Sequence, residues 1–123
     1  MICLDTNYLI RLLVPGSREA AEVSAWYRAG EQLITPMLAW FEFLCGPVSN
    51  EQEQVVRAFL AEIVPIDEPQ VRLAADLFNH AGRVRRNRID ALIAATALHA
   101  NARLATGNRE DFAPFEARGL VLL

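Results

Sequence analysis

The sequence contains no lysine, and all 12 of its basic side chains are therefore arginines. Any contact that this chain makes through a cation must use a guanidinium group, whose planar fork suits bidentate binding of phosphate. Acidic residues outnumber the arginines, and the net charge is −3. The chain as a whole therefore does not attract nucleic acid, and any such contact has to use a local basic patch.

Cysteine and histidine are also scarce, with two of each. Cys3 and Cys45 both lie inside apolar runs, which predicts small buried side chains in a reducing compartment. The spacing of these residues does not fit a zinc site. No apolar stretch has the roughly 18 residues of a membrane span, and the N-terminus lacks the basic and apolar regions of a signal peptide. We therefore expect a cytoplasmic protein without membrane contact.

The 123 residues are long enough for one domain with a real core, and 53% of them are hydrophobic. Short apolar runs alternate with stretches of helical periodicity, which predicts a parallel sheet sandwiched by helices. The third predicted strand contains Pro65, which indicates an edge position or the end of a strand. The predicted strands are 2–4, 32–35, 63–66, 103–105 and 120–123. The predicted helices are 6–14, 18–29, 36–46, one from about 50, 68–82, 89–101 and a short one within 108–116.

The helix over 36–46 is apolar on nearly every side, and this composition predicts a core helix. It is expected to start with Thr35 as its cap and Pro36 in its first turn. Its aromatic residues are expected in the core more often than at an interface.

Three carboxylates each stand alone in an apolar segment. Asp5 directly follows the first strand, Glu42 lies inside the most apolar helix, and Asp90 begins a helix rich in alanine. Each has a purely structural alternative. Asp5 or Thr6 could cap the next helix. Asp90 could interact favourably with the helix dipole, and Glu42 could lie on the solvated edge of its helix. Ligand sites of open α/β sheets lie beyond the carboxyl ends of the strands. If the three carboxylates meet there, a cation or protons must offset their repulsion, and hard oxygen ligands suit Mg²⁺ or Mn²⁺.

Four short stretches, in this order, resemble the motifs of the PIN-domain family, and in particular the small VapC-type toxins of VapBC toxin–antitoxin pairs. The resemblance runs nearly from end to end. The four stretches are Leu4–Ile10 (LDTNYLI), Trp40–Phe43 (WFEF), Arg88–Ala97 (RIDALIAATA) and Leu104–Phe112 (LATGNREDF). The resemblance implies a single domain over 1–123 with a PIN-like three-layer α/β/α sandwich, whose central sheet is mostly parallel and has four to five strands.

The same resemblance implies a metal-dependent ribonuclease in which Asp5, Glu42 and Asp90 bind Mg²⁺ or Mn²⁺. Many members of the family have aspartate where this chain has Asn108, whereas others keep asparagine and have an acid three residues later, as Asp111 is here. We expect Asp111 to be the fourth acid, although it could merely cap the short helix after it.

Supporting roles follow from the resemblance and from chemistry. Thr6 and Asn7 would position Asp5, and Thr106 would contribute a nearby hydroxyl. Asn108 would offer a neutral oxygen. Glu42 would orient or deprotonate the attacking water. Products with a 5′-phosphate and a 3′-hydroxyl are expected.

A dense basic cluster, which we call the arginine cluster, lies just before Asp90 and consists of Arg83, Arg85, Arg86 and Arg88. It is either a solvated joint or a contact for RNA phosphates, and its position favours the second. The resemblance further implies structured RNA such as tRNA as the substrate, a cognate antitoxin and a homodimer.

Two other functions compete with a nuclease toxin. One is a PIN-like module that binds RNA or protein without cutting it, and Asn108 keeps that alternative open. The other is a phosphoryl-transfer enzyme of the haloacid-dehalogenase kind. That enzyme requires a second aspartate where this chain has Asn7, and a lysine that this chain lacks.

Overall fold

The computed structural model describes residues 1–123 and contains a four-stranded sheet in the order β3-β2-β1-β4. All of its strand pairs are parallel. The first strand is therefore central, between the second strand and the last. The strands are β1 (Ile2–Leu4), β2 (Leu33–Pro36), β3 (Glu62–Val64) and β4 (Arg103–Ala105). The predicted parallel sheet and the edge position of the third strand are confirmed.

Helices cover both faces of the sheet. Crossovers between parallel strands are right-handed, so the helices between β1 and β3 share one face and those between β3 and β4 cover the other. The packing agrees, because α1 contacts α2 and α3, whereas α5 packs along α6. The helices are α1 (Thr6–Leu12), α2 (Arg18–Arg28), α3 (Met37–Leu44), α4 (Asn50–Phe59), α5 (Glu68–His80), α6 (Arg88–His99) and α7 (Arg109–Phe112). Two 3₁₀ segments, Arg85–Asn87 and Ala113–Arg118, complete the chain, and the predicted three-layer sandwich is confirmed.

Local sequence signals explain where several helices begin. Ser17 accepts a hydrogen bond from the backbone N–H of Ala20 at the start of α2. Ser49 and Gln52 form a reciprocal capping box at the start of α4. Asp67 caps α5, because its Oδ1 accepts a hydrogen bond from the backbone N–H of Gln70. Each cap satisfies donors that the first turn of a helix leaves free.

A buried polar pair fixes how α5 lies against α6. Thr96 donates a hydrogen bond of 2.8 Å to Oε1 of Gln70, and Nε2 of Gln70 donates one of 3.0 Å to the carbonyl of Pro65. Both Gln70 and Thr96 are almost fully buried. Since neither side chain can turn to water, the pair specifies one alignment of the two helices.

Replacing Thr96 with valine is therefore expected to lower the free energy of unfolding by about 1–3 kcal/mol, because it leaves Oε1 of Gln70 buried without a donor. Urea denaturation measures the change. Thr96→Ser keeps the hydroxyl and is expected to stay near the wild type. A Thr96→Val protein as stable as the wild type would show that the pair does not hold the helices together.

Four expectations about the fold are wrong. The segment 120–123 is not a strand, because it makes only one parallel bridge, between Leu104 and Leu122. Thr35 does not cap α3, since its hydroxyl donates to the carbonyl of Leu4 and the helix begins after Pro36. Cys45 is exposed, whereas Cys3 is buried as expected.

The helix α3 is also not buried all round. One face, with Ala39, Trp40 and Phe43, lies in the core, while Met37 and Phe41 are exposed. An eight-residue helix at the edge of a layer has a core contact on one side only, whatever its composition. No helix in the structure is both long and apolar enough to cross a membrane.

Candidate active site

A pocket of about 230 Å³ lies beyond the carboxyl end of β1, where α1, α3 and α6 meet. This is the edge at which parallel α/β sheets bind ligands. Its walls are mostly polar. The lining residues are Asp5, Thr6, Asn7, Ile10, Glu42, Asp90, Ile93 and Asn108. The end of β1, helix α3 and helix α6 thus bring the three isolated carboxylates of the sequence to one place, and the loop after β4 adds Asn108.

Asp5 is the most deeply placed of these acids, with only 4% of its surface exposed. Its Oδ1 accepts a 2.7 Å hydrogen bond from the backbone N–H of Thr6, and its Oδ2 accepts one of 2.7 Å from the hydroxyl of Thr106. Burial raises the pKa of Asp5 above its usual value, and these hydrogen bonds oppose that rise. Asp5 is also the N-cap residue of α1, so it fills the structural role and lines the pocket as well.

Glu42 reaches the pocket from the exposed edge of α3. Its Oε1 accepts a 3.2 Å hydrogen bond from the hydroxyl of Thr6. Thr6 thereby links the first two acidic motifs, since its N–H donates a hydrogen bond to Asp5 and its hydroxyl donates one to Glu42.

Asp90 lies in the first turn of α6 and is partly buried. Burial is the main cause that raises its pKa to about 6, and the charges of Asp111, Asp5 and Glu42 add to the effect. A carboxyl group whose pKa is raised by burial and by neighbouring carboxylates is characteristic of functional sites.

The loop after β4 is tied to α1 by the side chain of Asn7. Oδ1 of Asn7 accepts a 3.0 Å hydrogen bond from the N–H of Gly107. A side chain at position 107 would press on this contact, because its Cβ would lie 3.0 Å from Nδ2 of Asn7, and the Asn7 side chain would have to shift by a few tenths of an ångström. Thr106 also accepts a 3.0 Å bond from the N–H of Asn108. Two side-chain hydrogen bonds therefore join the first and last motifs. One runs from the N–H of Gly107 to Asn7, and the other runs from the hydroxyl of Thr106 to Asp5.

Asn108 and Asp111 are placed differently. Asn108 lines the acidic pocket, whereas Asp111 lies in the first turn of α7 and faces an adjoining pocket with Gly107 and Asn108. Asp111 is nevertheless close enough for its charge to raise the pKa values of Asp5 and Asp90.

The fit of this site to a metal ion can be judged from its donors. No three acidic, histidine or cysteine side chains converge as a ready-made metal-binding group. The pocket nevertheless offers hard oxygen donors from Asp5, Glu42 and Asp90, and an amide oxygen from Asn108. These donors, together with the raised pKa of Asp90, fit a hard divalent cation such as Mg²⁺ or Mn²⁺.

The structure also revises individual expectations about this region. Asn7 contacts Gly107, and the structure shows no hydrogen bond between its side chain and Asp5. Ile10 and Ile93 line the pocket, and sequence reasoning missed both. Ile93 follows Asp90 by three positions on one helix, a spacing that puts both on the same face and would have indicated it.

The arginine cluster lies in the exposed joint between α5 and α6. Gly82 and Arg83 adopt left-handed backbone angles, with φ of 88° and 58°, and turn the chain there. The salt bridges of the structure use other arginines, namely Arg11, Arg18, Arg57, Arg72, Arg103 and Arg118. The four cations of the cluster are therefore available for an external anion.

The fold and the pocket together define an α/β protein with an acidic site at the carboxyl edge of a parallel sheet. The PIN domain family matches residues 2–116, and the chain belongs to that family. No curated protein sequence shows significant similarity to it.

Solved structures with the same fold include two proteins above 25% identity. A toxin–antitoxin complex from Klebsiella pneumoniae has a chain 28% identical, with a TM-score of 0.73 over 92% of this chain and 91% of that one. VapBC-1 from nontypeable Haemophilus influenzae has a chain 27% identical, with a TM-score of 0.69 over 100% and 97%. FitAB bound to a DNA fragment is 22% identical, with a TM-score of 0.80 over 100% and 94%, and that likeness concerns the fold alone.

Proposed function

We propose that this chain is the toxin of a type II toxin–antitoxin pair and a Mg²⁺- or Mn²⁺-dependent endoribonuclease. The main support is the convergence of Asp5 at the end of β1, Glu42 of α3 and Asp90 of α6 on one pocket. Membership of the PIN family and the likeness to chains from toxin–antitoxin complexes add to it. The proposed substrate is tRNA or another structured RNA.

The metal would be held by Asp5 and Asp90, with Glu42 and the charge of Asp111 beside it. When bound, such an ion polarises the scissile phosphate and stabilises the charge that develops on it. Thr6 and Thr106 fix the orientation of Asp5 through its two oxygens. Glu42, held by the hydroxyl of Thr6, is the group placed to take the proton of the attacking water. Because water is the nucleophile, the ribose 2′-hydroxyl takes no part in the attack.

The arginine cluster is proposed to hold the RNA backbone next to this pocket. Its last member, Arg88, is two positions from Asp90 on the same helix. Contacts to phosphate position a strand without reading its sequence. The target is therefore set by other features of the RNA, such as its shape.

Replacing Arg85 and Arg86 by glutamine is expected to weaken RNA binding and to reduce its salt dependence. Each phosphate contact that the variant removes lowers the slope of log K against log salt by about 0.7–0.9. Binding of labelled RNA is measured by fluorescence anisotropy at several salt concentrations, with chelator present. The matched control is Arg28→Gln, an exposed arginine of α2. An unchanged slope in the double variant would show that these arginines do not bind the backbone.

A protein partner is part of the proposal. The solved relatives come from toxin–antitoxin complexes. We propose a cognate antitoxin that covers the acidic pocket and places a basic side chain near its carboxylates. A homodimer and a cytoplasmic location complete the proposal.

The test is cleavage of labelled total RNA by the purified, partner-free chain. Reactions contain Mg²⁺, Mn²⁺ or chelator, and an Asp90→Asn protein purified in the same way is the control for contamination. Metal-dependent fragments with 5′-phosphates, absent with the variant, are expected. Fragments that persist with Asp90→Asn come from another nuclease and give the proposal no support.

One observation favours a second function, a PIN-like module that binds RNA or protein without cutting. Asn108, a neutral side chain, lines the pocket, whereas Asp111 stands outside it. A folded chain that binds Mn²⁺ but leaves RNA intact would support this alternative.

A further inference from the structure

A second cavity, which we call the slot, lies between α5 and α6 on the outer side of the helix layer. Its volume is about 230 Å³, and its lining is apolar apart from one arginine. A cavity of about 150 Å³ already holds a benzene ring. The lining includes Val71, Ala75, Phe78, Arg88, Ala91 and Leu92.

The slot and the acidic pocket share one wall, the N-terminal half of α6. Arg88, Ala91 and Leu92 face the slot, while Asp90 and Ile93 face the pocket. The two cavities are thus separated by about one helix diameter, ~10 Å. A stacked strand covers this distance in roughly three nucleotides, at ~3.4 Å for each.

Two lining groups are of the kinds that stack on nucleobases. Phe78 offers an aromatic ring, and Arg88 offers a planar guanidinium group that forms no salt bridge. Arg83 lies over the Phe78 ring, with its guanidinium carbon 5.9 Å from the ring centroid. Single-stranded bases stack on aromatic rings and on arginine planes, whichever base is present.

We propose that the slot takes one unstacked base of an RNA strand, roughly three nucleotides along the strand from the phosphate that lies in the acidic pocket. The inference rests on the proposed nuclease function and specifies its substrate as RNA with an unpaired segment at the cleavage site. Charge favours RNA over an apolar protein side chain, because Arg88 lines the slot, Arg83 lies over the Phe78 ring, and neither forms a salt bridge. Since almost nothing polar lines the slot, it holds the face of a base and leaves the polar edges in water. It therefore requires a base without selecting which one.

The experiment measures binding of a fluorescein-labelled single-stranded RNA decamer and of a panel with one abasic nucleotide at each position in turn. Ca²⁺ is present throughout in place of Mg²⁺ or Mn²⁺, so that a hard cation offsets the carboxylates beside the bound phosphate while the readout is binding rather than cleavage. The proteins are the intact chain, Ala75→Leu, which fills the slot from the exposed face of α5, and Ala75→Ser as the matched control. Leucine is a good helix former, so the variant is expected to fold. Thermal unfolding checks this.

For the intact chain and Ala75→Ser, an abasic nucleotide at one position is expected to weaken binding roughly 5- to 100-fold. For Ala75→Leu, that penalty is expected to disappear, because the slot is already full. Phe78→Leu, which keeps apolar bulk but removes the flat ring, is expected to reduce it.

The proposal is overturned if the intact chain does not bind the decamer, if no position shows a penalty, or if Ala75→Leu keeps the penalty. If Ala75→Leu keeps the penalty and its sedimentation also shows a changed assembly state, the occupant of the slot is a protein instead. A chain that shows the penalty but never cleaves RNA would support the slot and count against the nuclease.

Discussion

Replacing Asp90 with asparagine is expected to abolish RNA cleavage and at the same time to stabilise the metal-free protein. The loss of activity follows because the variant lacks a proposed metal ligand whose ion supplies several kcal/mol, and so at least about 10²-fold in rate. The gain in stability follows because asparagine carries no charge, so it avoids both the burial of a carboxylate and the repulsion from nearby acids, which together raise the pKa of Asp90 to about 6.

The gain in stability of Asp90→Asn depends on pH. A carboxyl group whose pKa is raised on folding binds more protons in the folded state, so its penalty is absent at low pH and grows as the pH rises from about 4 through 6. A shift of this size corresponds to at most ~3 kcal/mol, and partial exposure reduces it to about 1 kcal/mol. We therefore expect Asp90→Asn without metal to melt roughly 3–5 °C higher at pH 7.5. The advantage should shrink at pH 5.

Scanning calorimetry with chelator tests the gain in stability, and scanning calorimetry with Mn²⁺ tests the loss of metal binding. Mn²⁺ is expected to raise the melting temperature of the wild type, since a ligand that binds only the folded state stabilises it, and to have a much smaller effect on the variant. The matched control is Asp76→Asn, an exposed acid of α5 that contacts His80. A variant less stable than the wild type at pH 7.5, with the same response to Mn²⁺, would show that Asp90 is a structural residue.

Replacing Thr106 with valine is expected to weaken metal binding about 10- to 100-fold and to destabilise the fold by about 1.5–3 kcal/mol. Valine has nearly the same shape but removes the 2.7 Å hydrogen bond to Asp5 and the bond from the N–H of Asn108. The buried carboxylate of Asp5 then loses a donor, and its pKa rises further.

Calorimetric titration with Mn²⁺ and urea denaturation separate the two effects. Thr106→Ser keeps the hydroxyl and is expected to retain most of the metal affinity. If valine and serine behave alike in the titration, the hydroxyl does not orient Asp5, and Thr106 only fills space beside β1.

Much of the arrangement could be predicted because charge inside apolar segments is costly and therefore informative. Asp5, Glu42 and Asp90 stood out in the sequence by isolation, and the structure places all three on one pocket. The alternation of strands and helices predicted the parallel sheet, because each crossover requires a helix.

The rest depends on contacts between distant parts of the chain. The sequence shows that α3 is apolar, but only the packing shows that Phe41 is 61% exposed. Likewise, the spacing of Asn108 and Asp111 does not say which of them turns inward, because α7 begins between them. The segment 120–123 has the composition of a strand but makes a single bridge beside β4.

The central position of β1 has a consequence for the order in which the site forms during synthesis. Within the sheet, β1 is flanked on one side by β4, since Ile2–Leu4 pairs with Arg103–Ala105. Asp5 receives the Thr106 hydroxyl from 101 positions further along the chain. Contacts of such long range form late, after the shorter loops have closed. A nascent chain on the ribosome therefore carries Asp5, Glu42 and Asp90 before it can hold them together, and the acidic pocket is completed only once β4 and Thr106 have been made.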